Sequence, residues 1–555
     1  MTVRLEASLT PLQVLRLYPA YDGTALSMLQ SRAGVAAGRE FIQYQGRSTS
    51  YEQVLQQVAR AATVLAARGV AAGDRVAVMS HNHPSTVYLL FALASLGAIL
   101  VPVNPEFTQE EARYVLDHAE VCGVVASPAT VQRVLGAGAR RGAPPWVMLN
   151  EAAPPSVAGQ PLQVLSEAMD AVQQPLQAPR SDPDASCIFI YTSGTTGFPK
   201  GVMHSQRNLL LAGEGFVARM HLQSSDRLLC VLPMFHINAI FYSLAGTLAA
   251  GATLLLEPAF SASQFWARVH ATGATECNTI AAASSILMRR PRGEFLPGHR
   301  LTKIYGAPFD AQTYQVFQQE FGVPTLIEGY GMSEVPGALN NPFDGPHKVG
   351  SMGQPSRHPD PAVALAELRI ADDEGNFLPS GQTGELVVRT PIAMQGYFRD
   401  LEQTRAAFRD GWFLTGDLAY ADADNYFWFV ARKKDIIRRR GENISGAELD
   451  RVIGSHPAVL EAAAIPVPAD LGEDEILVAI VTRDGQNLNP KEIAQWCRER
   501  LSANKVPRYV VLVDALPHTP THRVAKFKMR ADPSLRANAT DLQPPPGGPV
   551  SGPGA

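Results

Sequence analysis

The 555-residue chain has little of what marks disulfide-bonded, nucleic-acid-binding or membrane-spanning proteins. Its five cysteines, Cys122, Cys187, Cys230, Cys277 and Cys497, stand far apart and form no C-x-x-C pair, which argues against zinc ligation and a disulfide framework. They read as small buried apolar residues with reduced thiols. Charge of one sign is also lacking: 48 basic and 52 acidic residues leave a net charge of −4. No global field therefore draws the chain to nucleic acid or anionic lipid. No unbroken apolar run reaches the roughly 20 residues that a bilayer span needs. Residues 87–103 and 239–256 come nearest, but Gly97 and Gly251 interrupt them, and each reads as buried helix, turn and buried strand. The start carries Arg4 and Glu6 among its apolar residues and lacks the apolar core of a secretory signal, so a cytoplasmic protein is expected. No solenoid-type repeat is found.

What is present is a globular composition, 46% hydrophobic and 18% charged. Helical windows at 51–68 and 108–119 alternate with β-rich runs at 75–79 and 121–126. That alternation predicts an α/β fold with largely parallel sheets. From 381 to 430 the texture changes to strands and turns, and the basic run Arg432-Lys-Lys-Asp-Ile-Ile-Arg-Arg-Arg440 follows. The expected organisation is a large N-terminal domain of α/β subdomains with a small β-rich subdomain (1–431), a hinge (432–435) and a small mobile α+β C-terminal domain (436–535). A Pro/Gly-rich tail (536–555) is expected to be disordered. The part before Arg432 holds 30 basic and 37 acidic residues and the remainder 18 and 15, which suggests two functional parts.

The strongest chemical signal is Tyr191-Thr192-Ser193-Gly194-Thr195-Thr196-Gly197-Phe-Pro-Lys200-Gly201, preceded by the strand-like Cys-Ile-Phe-Ile. Hydroxyls, glycines and a lysine in this order suit a polyphosphate, because glycine lets backbone N–H groups approach and lysine brings a point charge. It is not a Walker A loop, since Pro199 precedes Lys200 and Gly201 follows it.

This loop and the motifs after it resemble the adenylate-forming superfamily of acyl-CoA synthetases, carrier-protein adenylation domains and beetle luciferases. The likeness runs from about Phe41 to Arg530. It implies an acid–thiol ligase that uses ATP, Mg2+ and coenzyme A: a small carboxylic acid attacks the α-phosphate, giving acyl-adenylate and pyrophosphate, and a thiol then displaces AMP. By the resemblance, Lys200 belongs to the phosphate loop, and His236 in Leu-Pro-Met-Phe-His236-Ile237-Asn238 lies between nucleotide and acyl pocket. Gly306-Ala307-Pro308 flanks the adenine. In Glu328-Gly329-Tyr330-Gly331-Met-Ser333-Glu334, Tyr330 stacks on adenine while Glu334, with Thr192, holds Mg2+, for which hard carboxylate oxygens are apt. Asp417 of Thr-Gly-Asp binds the ribose hydroxyls, Arg432 lies near the ribose, and Lys434 or Asp435 forms the hinge. The +3 excess after the hinge, with Arg438 to Arg440, suggests a surface that receives anionic CoA.

The resemblance departs from its pattern at Leu516-Pro-His-Thr-Pro-Thr-His-Arg523-Val-Ala-Lys526, where Arg523 stands on the family's catalytic lysine. A planar guanidinium is not a compact ammonium. Arg523 substituting directly, Lys526 taking over, and weak adenylation all stay open. The acyl side (His236, Ile237, Asn238, 281–284, Gly306) is small or modestly polar, and the surrounding pattern is similar to the crotonobetaine/carnitine–CoA ligase branch, where the acid is short and polar or cationic. The alternatives are transfer to a carrier thiol and a nucleotide-binding, non-catalytic homologue. Neither nucleic acid nor a membrane span is expected as a partner, and a homodimer stays open.

Overall fold

The computed structural model describes residues 8–137, 145–153, 161–177, 181–192, 199–439, 442–468, 474–486, 488–518 and 524–542. Ser193, Gly194, Thr195, Thr196, Gly197 and Arg523 lie outside the described residues, as does the Lys434 side chain.

Local chemistry fixes the helices. Ser50 caps Tyr51–Ala67 through a reciprocal bond with Gln53, and Val54, Val58, Ala61, Ala62 and Leu65 fall on one buried face at helical spacing. The two apolar stretches that come nearest to a membrane span break where glycine enters the left-handed region: Gly97 at φ +69° after Pro84–Ser95, and Gly251 at φ +65° after the helix that ends at Ala250. The strands that follow, Ile99–Val103 and Thr253–Leu256, are buried at every residue, the signature of sheets covered on both faces. Among the described residues, no helix is long and apolar enough to cross a membrane.

Two of the large domain's sheets are mainly parallel. One has seven strands, with Arg75–Met79 between parallel neighbours Ile99–Val103 and Gly123–Ala126, and the hairpin Ser186–Thr192/Lys200–Ser205 nearer its other edge. The other has nine strands, in which Thr253–Leu256, Arg227–Cys230, Glu276–Asn278, Lys303–Gly306 and Thr325–Tyr330 run parallel. Their register, Asn278 with Tyr305 and Gly306 with Glu328, brings the carboxyl ends side by side. In open α/β sheets ligands bind beyond those ends, and the segments 232–238, 279–284, 307–308 and 331–334 all lie there. A five-stranded antiparallel sheet carries the hairpin Trp412–Ala421/Phe427–Arg432.

After Arg432 come a short turn, Lys433–Asp435, and the paired strands Ile436–Arg439 and Glu442–Ser445. A separate core follows, built on Val459–Pro468, Asp474–Thr482 and Tyr509–Leu512. This sheet gains a fourth strand, Thr540–Asp541, beside Tyr509 and Val510, and Arg508 pairs with Asp541 at 3.0 Å. Residues 536–542, assigned to the Pro/Gly tail from composition, are thus folded: backbone pairing and one ion pair hold what composition alone reads as unstructured.

Candidate active site

The hairpin that carries the phosphate-loop motif is in register Tyr191 with Gly201 and Thr192 with Lys200, so Thr192 and Lys200 flank the loop's two ends. Gly201 packs closely under its partner: a Cβ at this position would lie 3.2 Å from the Tyr191 ring. The Tyr191 hydroxyl meets His118 Nδ1 at 2.8 Å. Lys200 donates to the Gln403 side chain and lies 4.8 Å from the centre of the Tyr397 ring, a cation–π arrangement.

The same tyrosine reaches across to the metal candidate. Tyr397 donates its hydroxyl to Glu334 Oε1 at 2.9 Å. Glu334 is buried, and that burial raises its carboxyl above the ordinary range, opposed by the Tyr397 hydroxyl and by the charges of Arg432 and Lys200. Among the described residues no three His, Cys, Asp or Glu gather as a metal cluster. Glu334 offers one buried carboxylate, a hard-oxygen donor of the kind Mg2+ accepts when substrate phosphates complete its shell.

Asp417, fully buried, forms the second half of the site. Its Oδ2 accepts the Tyr330 hydroxyl at 2.5 Å, and its Oδ1 faces Arg432 Nε at 2.7 Å. Strand pairing makes this contact local, because Asp417 and Arg432 are cross-strand partners. Glu328, two residues before Tyr330 on the same face, accepts from Phe309 N at 2.8 Å. Burial lifts its carboxyl to about 7. Through that bond it anchors the backbone of the residue that follows Gly306–Pro308, a segment that contains a cis Ala307–Pro308 bond.

His236 sits in the turn closed by its N–H to Pro233 O at 3.0 Å, with its ring 4.4 Å from Phe235. Ile237 and Asn238 lead directly into the wide-turned helix Asn238–Leu244. Residues 281–284 open the helix Ala281–Arg289, and Ser284 Oγ meets Thr279 Oγ1 at 2.9 Å.

Two supporting residues carry no sequence signal of their own. Asn82 clamps the His236 segment, accepting from Met234 N at 2.7 Å and donating to Leu232 O at 3.0 Å. His204 contacts Ser333 O through Nε2 at 2.6 Å. Burial lowers its pKa to about 4, so it is a neutral ring donating Nε2–H to that carbonyl. Both contacts span more than 100 residues of sequence, beyond any local pattern; the only hint is that His204 lies on the strand that carries Lys200.

At the turn Lys433–Asp435, Asp435 pairs with Arg530 at 3.0 Å, and Lys433 with Asp373 at 2.7 Å and Glu385 at 3.0 Å. Lys526 pairs with Asp450 at 2.6 Å. The basic cluster expected to receive CoA needs correction at Arg439. This residue is buried, pairs with Glu475 at 2.7 Å and donates to Asn504 O and Val506 O. It is part of the small domain's interior, because strand alternation turns it inward while Arg438 faces out.

The chain matches the AMP-binding enzyme family model over residues 29–398 and the AMP-binding enzyme C-terminal domain model over residues 448–523. It is 34% identical over 468 residues to a sulfoacetate–CoA ligase of Cupriavidus necator, covering 84% of this chain and 88% of that protein. To a crotonobetaine/carnitine–CoA ligase of Escherichia coli it is 29% identical over 496 residues, covering 87% and 93%. The solved structure of ATP-bound MatB from Rhodopseudomonas palustris superposes with a TM-score of 0.79 at 26% identity, covering 94% of this chain and 99% of that one.

Proposed function

The chain belongs to the AMP-binding enzyme family, and from that membership we propose that it is an ATP-dependent, AMP-forming carboxylate–CoA ligase. The observation that carries this reading is the pair of clasps Lys200–Tyr397–Glu334 and Tyr330–Asp417–Arg432, joined in that the charges of Lys200 and Arg432 both act on Glu334. Their spacing of roles suits a triphosphate and a ribose. The similarity to CoA ligases along nearly the whole chain supports free CoA as the thiol.

In the first step a carboxylate oxygen of the acid forms a bond to the α-phosphorus of ATP, and the bond from that phosphorus to the bridging oxygen of pyrophosphate breaks. Phosphoryl transfer leaves the protein mainly positioning and charge stabilisation to supply. Lys200 brings a positive charge to the phosphates, and Asp417 accepts from the ribose hydroxyls. Tyr330 offers its ring to the adenine, and Arg523, in the family lysine's position, is the cation for the reacting oxygens. Glu334 and Thr192 would hold Mg2+, which neutralises phosphate charge when bound. His236 borders the acid's carboxylate. In the second step the CoA thiol gives up its proton to solvent, its sulfur bonds to the acyl carbonyl carbon, and the bond from that carbon to the AMP phosphate oxygen breaks, AMP leaving with the bonding pair.

The reading is tested by measuring pyrophosphate and AMP with Mg-ATP, a panel of acids, and CoA present or absent. Acid-dependent pyrophosphate release with CoA-dependent AMP turnover supports it. Nucleotide binding without acid-dependent pyrophosphate overturns it in favour of a non-catalytic homologue.

A further inference from the structure

Beside the strand that begins at Lys200, Gly396 and Tyr397 pair with Met203 and Val202, and Phe398 N donates to Gly201 O at 2.8 Å. The chain then enters the short helix Leu401–Ala406. Asp400 caps it, its Oδ1 accepting from Gln403 N at 3.0 Å. Thr404 ties the helix back to the strand, its Oγ1 accepting from Tyr397 N at 2.9 Å and donating to Asp400 O at 2.7 Å. Backbone pairing and this tie set Tyr397 and Gln403 at fixed places relative to the strand that carries Lys200.

Both side chains act on the lysine. Its ammonium lies 4.8 Å from the centre of the Tyr397 ring and donates to Gln403 Oε1. A glutamine amide has a donor end and an acceptor end, and Asp400 selects between them: its Oδ2 accepts from Gln403 Nε2, which turns the amide oxygen toward the lysine. The carboxylate is thereby engaged by its own helix and hands on only a neutral oxygen. That difference matters for an anionic ligand. A carboxylate against the ammonium would be a charged pair that a phosphate has to displace, whereas an amide oxygen fixes the ammonium and leaves its charge in place. Fixing it in the fold also removes part of the rotamer entropy that a flexible lysine loses on binding. The Tyr397 hydroxyl meanwhile bonds Glu334 at 2.9 Å, so the lysine shares one ring with the metal candidate, while in the reading above the ribose and adenine fall to Asp417 and Tyr330.

We propose that Gln403 is a positioning residue for the triphosphate: oriented by Asp400, its amide oxygen holds the charged Lys200 ammonium against Tyr397, in the place where it meets the phosphates that AMP lacks. The inference rests on the nucleotide half of the ligase reading and adds to it a residue outside the motifs that carry it. Gln403 acts through Lys200 and not on the reacting atoms.

The test is the affinity of the full-length enzyme for Mg-ATP and for AMP, measured by isothermal titration calorimetry without acid or CoA. Gln403→Met keeps the length of the side chain but removes the acceptor. It is expected to weaken Mg-ATP about 3- to 10-fold, the value of one hydrogen bond, while AMP binds within about twofold of wild type. Gln403→Glu, of the same shape, pairs with Lys200 and is expected to weaken Mg-ATP further, by about 10- to 100-fold, again sparing AMP. Equal losses for the two nucleotides would show a merely structural role, and unchanged or tighter Mg-ATP binding in either variant would remove the role altogether; either result overturns the inference. If Gln403→Met does not fold, Gln403→Glu decides alone. A wild type that binds neither nucleotide overturns the ligase reading as well, whereas nucleotide binding without acid-dependent pyrophosphate release overturns that reading only.

Discussion

Arg432 Nε lies 2.7 Å from Asp417 Oδ1, although Asp417 is buried and Arg432 is two-fifths exposed at its side chain. The pair joins two neighbouring strands just before the turn Lys433–Asp435, and Tyr330 holds the carboxylate's other oxygen.

Asp417→Asn keeps the shape of the side chain but removes its charge. Hydrogen bonds to a charged group contribute about 1.5–3 kcal/mol, so the expected outcome is a roughly 10- to 100-fold loss in kcat/KM for ATP. Initial rates at varied ATP check it. A loss confined to kcat for the acid would count against a ribose role.

Tyr397→Phe deletes the hydroxyl that opposes the burial of Glu334. The Glu334 carboxyl then rises further above its ordinary range. The acid limb of the activity profile is expected to move to higher pH, with the Mg2+ concentration for half-maximal rate rising about tenfold or more. Rates across pH at fixed and varied Mg2+ measure both. An unchanged acid limb would remove Glu334 from the metal role.

Glu328 gives a stability signature. Burial lifts its carboxyl to about 7 in the folded chain, against about 4.3 unfolded. A group with a raised folded pKa contributes stability that is complete below the unfolded value and disappears as pH rises through the folded one. Between about pH 4.3 and 7 its contribution therefore declines. Glu328→Gln, which keeps an acceptor for Phe309 N, should flatten that slope in thermal melts and gain a few degrees relative to wild type above about pH 7. Parallel melting curves for the two proteins would refute the assignment.

Arg439 separates structure from binding. Breaking a buried ion pair from one side typically costs about 3–5 kcal/mol, so Arg439→Met should lower the unfolding temperature markedly. Arg438→Gln, on the exposed side of the same strand, should melt like wild type and act only on the KM for CoA. Equal melting temperatures for the two variants would contradict the burial of Arg439.

Much of this organisation is legible in the chain because it is local. Gly97 and Gly251 end helices where the pattern breaks, and the phosphate-loop motif lies on a hairpin whose strands are adjacent in sequence. The Thr-Gly-Asp residue meets Arg432 through one hairpin. What stays hidden is made by distant partners: His204 against Ser333, Asn82 against Met234, and buried Arg219 among the rings of Phe216, Tyr242 and Tyr305. A lone arginine in an amphipathic helix reads as solvated surface, and only the fold reveals that it faces inward. Composition likewise misjudged 536–542, because pairing with Tyr509 and Val510 supplies what its side chains do not.

Arg432 has a consequence for movement. It ends the strand Phe427–Arg432 and is pinned by its own cross-strand neighbour, while the turn Lys433–Asp435 begins one residue later. Rotation of the small domain about that turn leaves the arginine's grip intact, whereas rotation one residue earlier must tear it from a buried carboxylate. The turn Lys433–Asp435 is therefore where the chain can bend at the cost of Lys433's part-exposed ion pairs rather than of the contact to buried Asp417.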